Sequence, residues 1–178
     1  WPYYIDIIED GDNGTTTLQD FTKKTGIEVE YSEDITDNEE YWAKKSPILK
    51  NGQGIDRDLV ILTDITAARF LRNGFIEKLD RASMPNSTNV IPELADVAWD
   101  PKRQFTLPFL NGLIGIGYNK KLAGRELKSF SELLTDEFKG KIAISSEMED
   151  TMGFFLMANG KKTESFTDAD FDEAIADL

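Results

Sequence analysis

The run Asp58-Leu59-Val60-Ile61-Leu62 is short, apolar without alternation, and followed at once by a helical pattern. Continuous apolar runs of this length mark strands buried on both faces, as in parallel sheets. From Asp64 to Asn73 the spacing predicts a helix with Ala67, Phe70 and Leu71 on one face, closed by Gly74. The same grammar recurs along the chain. Thr17 to Thr25 carries Leu18 and Phe21 at i, i+3 and stops at Gly26, after which Ile27-Glu28-Val29-Glu30-Tyr31 alternates as a strand. Lys141 to Ser145 reads as a strand and Ser146 to Asn159 as a helix ended by Gly160. Leu113 to Tyr118 is strand-like, its glycines implying a bend or a close backbone contact.

Other segments fill the joints. Asn38 to Lys50 is helical up to Asn51-Gly52, with Pro47 expected to interrupt or end the helix early. Ser129 to Phe138 reads as a helix opened by a Ser129-to-Glu132 capping box, and Thr167 to Leu178 as a last helix opened by Thr167 or Asp168. Residues 80 to 104 are irregular and rich in Pro, Asn and Ser. Asn-Gly recurs at Asn13, Asn51, Asn73, Asn111 and Asn159. Hairpin turns are one reading of that pair. At Asn51, Asn73 and Asn159 it follows a helical pattern, so a helix C-terminus is the better one. Strand–helix alternation with short joints indicates an α/β fold with a mostly parallel sheet.

Composition removes whole classes of chemistry. The 178 residues hold 33 acids and 20 bases, a net charge of −13. That excess argues against nucleic acid, whose binders cluster Lys and Arg, and fits a cationic partner or a merely soluble surface. Without Cys there is no disulfide, thiolate nucleophile or Cys-based metal site; without His there is no Ser-His-Asp triad or imidazole cluster. No apolar run approaches the roughly 18 residues of a membrane helix. No signal peptide is visible ahead of Trp1-Pro2-Tyr3-Tyr4, and the missing cysteines leave the compartment open.

In α/β sheets ligands lie beyond the carboxyl ends of strands. Two turns answer that description: Leu62-Thr63-Asp64, and Ser145-Ser146-Glu147-Met148-Glu149-Asp150. In the second, Ser146 and Glu149 have capping-box spacing, and acids in a first helical turn need no function beyond complementing the helix dipole. The functional alternative places Glu147 and Asp150, at i, i+3, on one helix face with two carboxylates for an ammonium group or a hard cation. Glycosidases need carboxylates on opposite sides of the scissile bond, and calcium needs a ligand spacing this chain lacks. Trp1, Tyr3 and Tyr4 are either core or a platform for a cation and its methylenes. Trp42 and Trp99 read as structural. The glycines from Gly112 to Gly117 match no phosphate loop, so no cofactor is implied.

Several segments together resemble a known family. Trp1-Pro2-Tyr3-Tyr4-Ile5-Asp6, Phe21 to Val29, Asp58 to Asp64, Gly74-Phe75-Ile76-Glu77-Lys78-Leu79-Asp80, Ala98-Trp99-Asp100-Pro101, Leu107-Pro108-Phe109, Gly115 to Asn119 and Phe138 to Ile142 are, in order, similar to the spermidine/putrescine-binding proteins of bacterial ABC transporters. The resemblance implies a type II periplasmic-binding-protein-like fold of two α/β lobes, with residues 1–111 in the first lobe and 112–178 carrying the crossover and the start of the second. It implies ligand roles for Trp1 (stacking on the alkyl chain), Tyr4 and Thr63 (hydroxyl contacts), and Glu147 and Asp150 (an ammonium anchor). It further implies a polyamine ligand, a membrane permease as partner, an extracytoplasmic location, periplasmic or lipid-anchored, and no catalysis.

Two positions depart from the family pattern. Ile65 stands where an aromatic ring is usual, removing a cation–π contact, and Pro2-Tyr3 replaces a Thr-Glu pair found in some polyamine binders. Family members also exceed 300 residues, which makes this chain an expected fragment whose open sheet edges favour self-association. The alternatives are a binder of the same fold for another small solute, amino-acid-like or metal, and a carboxylate-based hydrolase, which would lack a nucleophile–base pair.

Overall fold

The computed structural model of the protein describes residues 15–178. The chain divides into two compact units, the first ending at Asn111 and the second running Gly112–Leu178.

In the first unit, helix α1 (Thr17–Thr25) opens on a reciprocal capping box. Thr16 Oγ1 accepts from Gln19 N at 3.1 Å, and Gln19 Oε1 accepts from Thr16 N at 3.0 Å. It closes at Gly26, whose φ of 75° is left-handed and suits glycine. Helix α2 (Asn38–Lys50) is capped by Asp37, whose carboxylate accepts from Glu40 N at 2.7 Å. Pro47 does not end it. The proline sits in the last turn, where its ring removes the N–H that would bond to Ala43 O, but the helix runs on to Lys50. Its carbonyl still accepts from Asn51 N at 3.2 Å, and Gly52 N and Gln53 N close the turn on Leu49 O and Ile48 O. Helix α3 (Asp64–Arg72) ends at Asn73-Gly74.

Helices α2 and α3 meet through aromatic rings. Trp42 stands edge-on to Phe70 at 5.4 Å, Tyr41 stacks on Phe70 at 6.3 Å, and Phe75 meets Phe70 edge-on at 6.0 Å. Leu49, Val60, Leu62 and Ile76 pack around this cluster. Trp42 is therefore structural. Phe70 is the deepest residue of the expected α3 face, but Thr66 and Ala68 are buried beside it, so the stripe is turned from the expected Ala67–Leu71 line.

The expected strands differ most. None of 27–31, 58–62, 113–118 or 141–145 pairs into a ladder among the described residues, where the one bridge is an isolated antiparallel contact, Val97 to Asp100. The segments are extended and apolar, yet Leu59 is 86% and Leu113 100% exposed. In 58–62, Val60 and Leu62 turn to the core and Leu59 outward, so the run is buried on one face only. A helix closes its hydrogen bonds within its own sequence, whereas a strand needs a neighbour.

The irregular stretch 80–104 consists of short turns. Helix α4 (Pro92–Ala95) makes one of them, and three-residue 3₁₀ turns make others. Its end is tied by Asp100, 1% exposed, whose carboxylate accepts from the successive amides of Gln104 (2.9 Å), Phe105 (3.1 Å) and Thr106 (2.9 Å) and from Thr106 Oγ1 (2.8 Å). The chain enters this knot through Lys102 and Arg103, with left-handed φ values of 61° and 47° that side-chain-bearing residues adopt at a cost. Arg103, 3% exposed, donates from Nε to Leu94 O at 2.9 Å and from Nη1 to Thr106 Oγ1 at 3.2 Å, with its guanidinium 5.3 Å from the Trp99 ring centre. Trp99 is thus structural as well.

In the second unit, helix α5 (Lys120–Ala123) is capped by Asn119, and α6 (Met148–Ala158) packs on α7 (Asp168–Ala176). Met152, Phe155, Leu156 and Ala174 form the core, with Phe130 edge-on to Phe155 at 5.1 Å. The expected helix from Ser129 is two 3₁₀ turns, Phe130–Glu132 and Asp136–Phe138. Glu132 cannot complete a capping box there, because its carboxylate accepts from Arg125 Nη1 at 2.8 Å and Lys128 N at 3.2 Å. The Ser146–Glu149 box is also unmade. The N-cap of α6 is Glu147, without a side-chain cap bond. Thr167 does open α7, in a capping box with Asp170. The Asn-Gly pairs at Asn51, Asn73 and Asn159 all end helices, their glycines at φ values near 70° (71°, 69° and 69°).

Two predictions follow from this packing. Asp100→Ala leaves three successive amides unpaired and destabilises the protein by about 3 kcal/mol or more in urea denaturation. In α7, the Lys161 ammonium 2.7 Å from Asp170, together with the Thr167 donors, holds the Asp170 carboxyl far below the usual range. A depressed folded pKa stabilises above the unfolded value, near 3.9, and the gain is lost as pH falls through the folded one. Melting curves of wild type and Asp170→Asn should differ at neutral pH and converge in strong acid.

Candidate functional site

Thr63 is the N-cap of α3, directly after the extended segment whose Val60 and Leu62 anchor it to the aromatic core. Its amide donates to Asn38 Oδ1 at 3.1 Å, and its hydroxyl to Thr66 Oγ1 at 3.2 Å. Asn38 is 1% exposed, and its Nδ2 meets no partner. A buried amide half satisfied in this way costs about 1–3 kcal/mol, which the acceptor for Thr63 must offset. Asp64, the next residue, projects a carboxylate that is 61% exposed with Oδ2 3.7 Å from Arg103 Nη2. The turn 62–65 therefore presents a hydroxyl, a carboxylate and the half-exposed Ile65 side chain, its backbone held by Asn38 and its carboxylate approached by Arg103.

In the second unit, Glu147 is the N-cap of α6 and Asp150 lies in its first turn. The preceding turn is fixed by two bonds: Glu147 N donates to Ser145 Oγ at 3.2 Å, and Thr151 Oγ1 to Ser145 O at 2.8 Å. Glu147 makes no side-chain cap bond to the amides of its own helix. Trp1 and Tyr4 lie outside the described residues. Asn38 and Arg103 escaped sequence reasoning, which reached Asp64 only as part of the candidate turn 62–64. Asn38 reads as an ordinary first-turn residue and Arg103 as a loop cation, and only the fold brings them to Thr63.

The hollows found do not coincide with these residues. One of about 230 Å³ is lined by Asp34, Thr36, Asp37, Glu40, Tyr41, Lys44 and Lys45. Its acids are already engaged: Asp34 by Arg57 at 3.0 Å, Asp37 by the α2 amide, Glu40 by Lys44. With two lysines in its wall it offers a cation little. Burial, and secondly the Asp34 carboxylate, raise the Tyr41 hydroxyl above its ordinary pKa, so it stays protonated there. Among the described residues no group of three or more acids could hold a metal ion, and no helix is long and apolar enough to cross a membrane.

Comparison with known proteins agrees with the fold. The spermidine/putrescine-binding periplasmic protein of Escherichia coli K12 is 28% identical over 144 residues, 80% of this chain and 40% of its own. The putrescine-binding periplasmic protein SpuD of Pseudomonas aeruginosa is 35% identical over 105 residues, 58% of this chain and 27% of its own. In three dimensions the chain is similar to the crystal structure of a spermidine/putrescine ABC transporter substrate-binding protein from Streptococcus pneumoniae, with a TM-score of 0.69 and 25% identity over 90% of this chain and 48% of that one. The fold is thus the type II periplasmic-binding-protein fold, represented in part, and the chain spans about two fifths of the length of the curated relatives it matches. The model of the bacterial extracellular solute-binding protein family matches residues 16–178, and the chain belongs to that family.

Proposed function

We propose that the protein captures a polyamine, spermidine or putrescine, outside the cytoplasm and delivers it to the membrane permease of an ABC transporter, without catalysing a reaction. The observation that carries this reading is the match, over 80% of the chain, to proteins named for spermidine and putrescine binding. The chemistry supports it. Glu147 and Asp150 at the start of α6 are carboxylates for an ammonium group, and charge-assisted N–H···O bonds are the strongest of their kind. Thr63 supplies a hydroxyl from the turn before α3, and the resemblance assigns Trp1 and Tyr4 to the methylenes and an amine. A net charge of −13 draws cations toward the surface as a whole. The domain roles, with the first lobe up to Asn111 and the crossover at Gly112–Leu113, belong to this reading too.

A second reading, another small solute on the same fold, is favoured by Ile65, whose aliphatic side chain is 45% exposed beside Thr63 and offers no ring to a cation. Melting curves decide between them. A ligand that binds only the folded state raises its stability by about 2.7 kcal/mol at a hundredfold excess over Kd. Spermidine or putrescine should raise the melting temperature, and Glu147→Gln with Asp150→Asn should abolish the shift. A shift with amino acids and none with either polyamine would reverse the choice.

A further inference from the structure

We propose that Asn38 and Arg103 are positioning residues that together clamp the ligand-facing turn at the start of α3, Asn38 through the backbone of Thr63 and Arg103 through the carboxylate of Asp64. The inference rests on the reading that Thr63 faces the polyamine. Both clamping groups are buried, at 1% and 3% exposure, while the Asp64 carboxylate that Arg103 holds is 61% exposed. Both come from far along the chain, Asn38 from the first turn of α2 and Arg103 from the knot around Asp100.

Each jaw carries a mark of a task beyond packing. Asn38 keeps its Nδ2 buried without a partner while its Oδ1 takes the Thr63 amide, so the side chain is there for the acceptor. A leucine of similar volume would fill the site without an orphan. Arg103 sits on a left-handed backbone, with its Nε and Nη1 already committed to Leu94 O and Thr106 Oγ1. Those bonds leave Nη2 pointing at Asp64 with little freedom remaining. Ordinary exposed ion pairs gain little because both side chains must be ordered. Here one partner is ordered already, and only Asp64 has to be fixed. The first helical bond of α3, Ala67 N to Thr63 O at 2.9 Å, begins at the clamped residue, so the clamp also sets where the helix starts.

Spermidine affinity by calorimetry and hydrogen exchange at the Ala67 amide test the clamp. Asn38→Leu removes the acceptor and Asp64→Asn the anionic end, and each should weaken spermidine about tenfold. Asn38→Asp keeps an acceptor for Thr63 and should bind within about threefold of wild type. Thr16→Ala removes the α1 capping box, lowers the melting temperature without touching the turn, and should leave affinity unchanged. Wild-type affinity in Asn38→Leu, equal losses in Asn38→Asp and Asn38→Leu, or a loss in Thr16→Ala in step with its melting temperature would each overturn the proposal. If wild type binds no spermidine, the polyamine reading fails and exchange decides the clamp alone. Faster Ala67 exchange in Asn38→Leu and Asp64→Asn but not in Asn38→Asp upholds it, and equal rates in all three overturn it.

Discussion

The carboxylate of Asp100 is the buried acid on which the first unit's long connection depends. Three consecutive amides converge on it, and the backbone accepts left-handed conformations at Lys102 and Arg103 to bring them there. Without a negative charge at that point the amides would face one another unpaired, and the segment from Asp80 onward would have no reason to close. Because it closes, Arg103 is carried under Trp99 and toward α3. A stretch that looks structureless therefore determines how a helix terminus some forty residues earlier in the chain is presented.

Helices were the legible part of the sequence. Thr17–Thr25 and Asn38–Lys50 occur with the expected bounds, and α3 ends one residue short, because caps, apolar spacing and glycine stops all act within a few neighbouring residues. The errors arose where a local signal had a competitor. Glu132 has capping-box spacing, but Arg125 takes its carboxylate; Pro47 removes a helical donor, but the bonds that follow it carry the helix on to Lys50. Strands were less legible. Apolar runs at 58–62 and 141–145 announce extended backbone, but pairing depends on residues distant in the chain, and burial on whatever covers each face. In 58–62 the core covers one face, and the pattern alone implied two.

The candidate site shows the same division. Thr63, Glu147 and Asp150 became candidates because strand ends and helix starts can be read from the sequence, and because the resemblance implies ligand roles there. Asn38 and Arg103 were not. Nothing in an Asn at the first position of a helix distinguishes one that faces water from one buried against another turn's amide. The half-satisfied amide of Asn38 is evidence only once burial is known. Positioning groups are properties of the fold, while the groups they position are closer to properties of the sequence.

The capping boxes and glycine stops also bear on the order in which the molecule assembles. Helix α1 carries both signals and α7 its own start signal within a dozen residues, so their formation closes only short loops and is fast. The extended segments have no such autonomy, and any pairing they make must await chain already organised around them. Helices α6 and α7, which share a core, can therefore mature as a local unit before any pairing of the extended segments. Outside the cytoplasm that interval is when chaperones and proteases meet the chain, and the exposed apolar segments are what they would meet.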